Sequence, residues 1–103
     1  MKYLKTFESN KYDFKTYLLY KVNPDIYFIL KFVRLNGTLR DTYITTNKCY
    51  SYSKILNNLV PQHAGYRLEY SDDNIKDIIY QSDNIQDCLD VIHTLKDTEK
   101  YNI

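Results

Sequence analysis

Asn36-Gly37 lies between two runs rich in aromatic and β-branched residues, at positions 26–35 and 38–46. A two-residue hairpin turn of type I′ requires φ > 0 at both central positions, and Asn followed by Gly meets that requirement best. The two runs therefore read as antiparallel strands. Upstream, Asn23-Pro24-Asp25 marks a second turn, because proline fixes φ and both Asn and Asp tolerate turn geometry. Residues 14–22 before it share the same β-favouring composition. An antiparallel meander of three strands is the expectation for this part of the chain.

The rest alternates between helix and strand signals. Ser51 or Ser53 can cap a helix with apolar positions Tyr52, Ile55, Leu56 and Leu59, at the spacing of one helical face, and Pro61 stops it. Tyr66-Arg67-Leu68-Glu69-Tyr70 alternates like a half-buried strand. Residues 77–81 read as another, because Ile78, Ile79 and Tyr80 favour β structure. The repetition of Asp-Asn-Ile at 73–75 and 83–85 leaves a helix over 73–80 as the alternative. Ser82-Asp83 caps a last helix running to about residue 97. The expected fold is α+β, in the order β-β-β-α-β-β-α, with an antiparallel sheet and helices packed on one face as the simplest two-layer solution. It forms a single domain over residues 1–103, with 1–13 a possible tail and 98–103 a frayed end.

The two turns set registers. With a three-residue turn at 23–25, Val22 pairs with Ile26, Leu19 with Ile29 and Tyr17 with Lys31. With a two-residue turn at 36–37, Leu35 pairs with Thr38, Val33 with Arg40 and Lys31 with Thr42. Side chains alternate across a sheet, so one face carries Leu18, Tyr20, Val22, Ile26, Phe28, Leu30, Phe32, Leu39 and Tyr43. This is the core face, for the helices to cover. The other carries Lys15, Tyr17, Lys21, Tyr27, Lys31, Arg40 and Thr42 among Leu19, Ile29, Val33, Leu35 and Ile44. That second face joins cations and tyrosines to aliphatics. It suits a protein interface, a single-stranded nucleic-acid platform, or lysine stems lying over apolar surface. A slip of one residue would exchange the faces.

Charge is segregated along the chain. Residues 1–50 hold nine Lys/Arg against four Asp/Glu, and residues 51–103 hold five against nine, although the total is only +1. Such asymmetry bears on partners rather than on fold. The acidic excess falls largely on the last helix. There Ile85, Cys88, Leu89, Ile92 and Leu95 form an apolar stripe, and Asp83, Asp87, Asp90, Thr94 and Asp97 lie opposite. That ridge is either a solvated face or a dock for a basic partner. The contact residues expected from both surfaces are Lys15, Tyr17, Lys21, Tyr27, Lys31, Arg40, Asp87, Asp90 and Asp97.

Chemistry has little to build on. Cys49, His63, Cys88 and His93 show no metal-ligand spacing, and the Asp72-Asp73-Asn74 cluster lacks the glycine and distant glutamate of a calcium loop. Two glycines in the chain leave no phosphate-cradling loop, and no nucleophile elbow occurs. The expectation is a non-enzymatic protein without metal or cofactor. Two cysteines are too few for a disulfide framework, which favours a reducing, cytoplasmic setting. No apolar run is long enough to span a bilayer, and Met1-Lys2-Tyr3-Leu4-Lys5-Thr6-Phe7-Glu8 is not a signal peptide.

The composition, with twelve tyrosines and only two glycines, follows AT-rich codons, so part of the tyrosine excess is mutational. In this style, and in its opening residues, the chain resembles short proteins encoded by phages and mobile elements. The resemblance implies binding to, and inhibition of, a host enzyme or defence nuclease, in the manner of anti-CRISPR proteins, in the cytoplasm of a bacterial host. A protein-binding inhibitor or adaptor for a host or cognate protein is therefore the first expectation. An RNA or single-stranded nucleic-acid module using the same basic face is the second, and a self-associating homodimer is the third.

Overall fold

The computed structural model describes residues 14–37 and 42–101. The chain forms β1 (Tyr17–Asn23), β2 (Ile26–Gly37), β3 (Thr42–Ser53), β4 (Asn58–Pro61), β5 (Gly65–Glu69), a short helix α1 (Asp72–Lys76), β6 (Ile78–Ser82) and a long helix α2 (Ile85–Tyr101). All strand pairs are antiparallel. The six-stranded sheet runs β4-β3-β2-β1-β6, with β5 also paired to β3. The expected α+β class and antiparallel sheet are therefore found. No helix among the described residues is long and apolar enough to cross a membrane.

The first meander follows the sequence closely. Tyr17 faces Lys31 and Leu19 faces Ile29, as the turn at 23–25 dictates. Val22 does not pair with Ile26; the pairing shifts there, so that Asn23 stands opposite Ile26. The second hairpin differs more. Asn36 and Gly37 belong to β2 and pair with Tyr43 and Thr42, with Leu35 opposite Ile44 and Lys31 opposite Asn47. The expected partners Thr38 and Arg40, together with Leu39, lie outside the described residues, as do residues 1–13. Longer pairing is favoured because it buries Leu35 and Ile44 together. Gly37 has a φ of 114°, a region that β-branched and bulky side chains avoid.

The helix expected from Tyr52, Ile55, Leu56 and Leu59 is absent. β3 continues to Ser53, and a tight turn leads into β4. Tyr52 and Leu59 still meet, but across a hairpin rather than along a helix. Seven residues separate partners equally well on one helical face or around this turn, so the spacing alone does not distinguish them. The preceding strand, rich in threonine and tyrosine, decides in favour of β structure. Residues 73–80 divide: Asp72–Lys76 is helical and Ile78–Ser82 is a strand. Ser71 caps α1 through its side chain.

Each face of the sheet carries a buried core. On one, Leu18, Tyr20, Leu30, Ile44 and Leu68 form a core joined by Phe14, Phe28, Phe32, Tyr66 and Ile75 of α1. On the other, Leu19, Tyr27, Ile29 and Tyr52 pack with Cys88 and Ile92 of α2. The apolar stripe of α2 is the expected one, with Ile85, Leu89 and Leu95 also packed there. Its seat, however, is the face expected to be open. The aliphatics explain this: leaving Leu19 and Ile29 in water would forfeit roughly 1.5–3 kcal/mol each. Two irregularities between β2 and β3, near Cys49 and Val33, then re-aim the strands. Past Val33 the alternation reverses, which moves Leu35 and Ile44 to the face opposite Ile29.

α2 also passes its expected end at Asp97 and reaches Tyr101. Its start is secured by Asn84, whose Oδ1 accepts from the Gln86 N–H at 2.9 Å. Ser82 Oγ accepts from the Asn84 N–H at 3.0 Å and donates to Asp87 Oδ2 at 2.6 Å. Asp83 instead ties helix to sheet, accepting from the Thr16 N–H and Oγ1, both at 3.0 Å.

Candidate interaction surfaces

The presence of a core on each face redistributes the expected contact residues. Tyr27 is only 5% exposed and belongs to the core beneath α2, and Tyr17 packs against that core. Tyr27 therefore offers no ring to a partner and Tyr17 is half-buried, which corrects the expected tyrosine-bearing outer face. Lys21 is half-buried, whereas Lys15 and Lys31 are exposed. Arg40 lies outside the described residues. On α2, Asp90 and Asp97 are exposed, but Asp87 is half-buried and engaged by Ser82. The expected acidic ridge is therefore shorter.

Among the described residues, two surfaces stand out that no local stretch of sequence assembles. The first is the turn between β3 and β4. Ile55 and Leu56 at its tip are 76% and 71% exposed. The turn carrying them is closely held. The Asn57 N–H donates to the Ser53 carbonyl at 2.7 Å, and the Lys54 N–H donates to the Asp25 carbonyl at 2.8 Å. The Leu56 N–H reaches Ser53 Oγ at 3.3 Å, and the Tyr52 hydroxyl reaches Asn57 Oδ1 at 3.2 Å. Asn57 takes a φ of 53°, a left-handed conformation that asparagine tolerates better than most residues. Beside the turn, a groove of about 210 Å³ opens between β4 and α2, lined by Tyr52, Leu59, Leu89 and Ile92 with His93 and Lys96. Lys96 Nζ lies 5.5 Å from the Tyr52 ring centre. The small cleft thus lies next to the turn that carries Ile55 and Leu56, with Asn57 and Asn58 between them.

The second surface is the part of the α2-side face beyond the helix, which packs against β1 and β6. Because the strand reverses near Val33, Arg34 emerges on this face opposite Thr45, and Thr45 is opposite Arg67 of β5. One row across three strands is therefore Arg34, Thr45, Arg67. The next is Lys31, Asn47, Gly65. Between them lies an open groove of about 440 Å³. Arg34 Nε donates to Asn36 Oδ1 at 2.6 Å, and Asn36 Nδ2 donates to Thr45 Oγ1 at 2.5 Å. The Arg67 guanidinium stacks 4.0 Å from the Tyr43 ring centre. The alternation at 66–70 was visible in the sequence, but nothing local signals that β5 borders β3 or that β2 reverses near Val33.

Among the described residues, no three of His, Cys, Asp and Glu gather as a metal site. His63 is exposed between β4 and β5. Cys88 is fully buried, and desolvation, with Asp87 and Cys49 nearby, raises its pKa to about 11. Cys49 is half-buried, and burial raises its pKa as well. Neither thiol is poised as a nucleophile, which requires an accessible thiolate. Asp72 and Asp73 are exposed in the first turn of α1, and Asp73 lies 3.7 Å from Lys76. Comparison of the chain with protein-family models, curated proteins and solved structures finds no match.

Proposed function

We infer that the chain is a non-enzymatic protein-binding module, an inhibitor or adaptor whose docking end is the Ile55–Leu56 turn and the neighbouring α2 groove. The observation that carries this reading is the exposure of two adjacent aliphatics, 76% and 71%, on a turn held by several hydrogen bonds. Burying such a side chain is worth about 1.5–3 kcal/mol. A turn already ordered keeps that gain, because little conformational freedom remains to be lost on binding. The fitting partner has an apolar pocket for the tip and an apolar side chain for the groove. Acidic groups at its rim would meet Lys54 and Lys96. The resemblance to phage and mobile-element proteins adds that this partner is a host protein in the cytoplasm, a defence nuclease included.

Affinity capture from the source organism, with nuclease treatment, tests the reading. The wild-type chain should retain a protein that the I55D/L56D variant loses. Recovery of nucleic acid alone, or equal capture by the variant, would refute it. A dimer in sedimentation that I55D/L56D dissociates would reassign the same surface to self-association.

A further inference from the structure

The groove between Arg34 and Arg67 is separate from the docking turn and has the opposite chemistry. Adjacent strands lie about 4.8 Å apart, so the two arginines, one strand removed on either side of Thr45, start roughly 10 Å apart across the sheet. Both are exposed. Each is positioned by a neutral neighbour: Arg34 by Asn36, and Arg67 by the Tyr43 ring. Among the described residues, neither guanidinium has a carboxylate within ion-pair distance. Glu69 stands opposite Tyr43 at the end of this face and does not line the groove. Lys31, opposite Asn47, adds a third exposed cation beside it.

The floor is shaped for a ligand larger than an ion. Gly65 leaves the edge of the groove without a side chain next to Asn47, whose exposed amide offers both donors and an acceptor. Thr45 contributes a hydroxyl between the two arginines. A volume of about 440 Å³ lies in the range of small-molecule sites. Guanidinium forks match phosphate oxygens in pairs, and an amide can read a base edge. We propose that this groove binds a nucleoside phosphate, with the phosphate between Arg34 and Arg67 and the base over the Gly65–Asn47 floor. The ligand is either a free nucleotide or one unit of a single strand.

Titration of the full chain with uridine monophosphate and with fluorescein-labelled oligo-dT and oligo-U at low salt tests this. Binding should weaken at least about tenfold in R34Q/R67Q, given the strength of hydrogen bonds to charged groups. R34K/R67K should preserve the salt dependence but not the full affinity, because lysine keeps the charge without the fork. Stronger binding of an oligomer, with a log–log salt slope that shrinks by about 0.7 per phosphate contact removed, assigns the strand. Equal affinity for the mononucleotide assigns the free ligand. Thermal melting of each variant separates lost binding from lost folding. No binding of any of the three probes by the wild type, or undiminished binding by folded R34Q/R67Q, would overturn the proposal. I55D/L56D should bind the probes normally, so failure of the docking turn and failure of this groove are read independently.

Discussion

Tyr52 and Leu59 stand opposite one another across the β3–β4 hairpin, and this one pairing determines what the apolar end of the molecule presents. Tyr52 is buried against Tyr27 with ring centres 6.4 Å apart, and its hydroxyl holds Asn57. Because the two partners close the hairpin, the intervening Ile55 and Leu56 are carried outward. On a helix, the same four residues would have shared one buried stripe.

That division gives a sharp contrast in stability. Tyr52→Ala should cost about 3–5 kcal/mol, the range for truncating a large buried aromatic. The double variant I55S/L56S should stay within about 0.5 kcal/mol of wild type, as exposed positions do. Asn57→Ala should cost about 1–2 kcal/mol for its left-handed backbone, plus the lost acceptor for Tyr52. Urea denaturation of the three variants measures each value. A large loss in I55S/L56S would mean that the tip is packed rather than presented.

Asp83 links acid stability to the seam between β1 and α2. Its carboxylate accepts from the Thr16 N–H and hydroxyl, and these bonds, the backbone one foremost, lower its pKa below the ordinary 3.8. The folded state therefore favours the ionised form. The contribution is complete above the unfolded pKa and is lost as pH falls through the lower folded value. Stability measured between pH 5 and pH 2 should fall less steeply in Asp83→Asn than in wild type. Identical slopes would remove Asp83 from the acid response.

Cys88 behaves in the opposite sense at alkaline pH. Its pKa rises from 9.0 to about 11, because burial disfavours the thiolate. The folded state holds its proton more tightly, so the contribution is intact below pH 9 and declines as pH rises from there towards 11. Alkylation of Cys88 by iodoacetamide at pH 8 should be slow and should accelerate with urea in step with opening of the fold. Cys88→Ser should destabilise by about 1–3 kcal/mol, because the Tyr17 carbonyl 4.0 Å from the Cys88 Sγ is too far for a full hydrogen bond from a buried hydroxyl. Rapid labelling of Cys88 in the native protein would contradict its burial beneath α2.

The local pieces are legible in the sequence. The turn at 23–25 predicts the pairing of Tyr17 with Lys31 and Leu19 with Ile29, which holds beyond the shift at Val22. Alternation separated Leu18, Tyr20 and Leu30 from Leu19 and Ile29, and the periodicity at 85–95 defined the buried side of α2. These are signals between near neighbours, where one residue's geometry constrains the next. Which face α2 covers is set by long-range packing, because both faces are apolar enough to need covering. The tertiary structure also decides that Tyr52 and Leu59 meet across a hairpin, since their spacing suits either helix or turn. The same holds for Arg34 and Arg67. A shift in pairing near Val33 turns one outward, and the pairing of β5 with β3 brings in the other from a distant part of the chain. Lys31 was legible as an exposed cation, but the groove it borders is a product of pairing between strands, which no short stretch of sequence encodes.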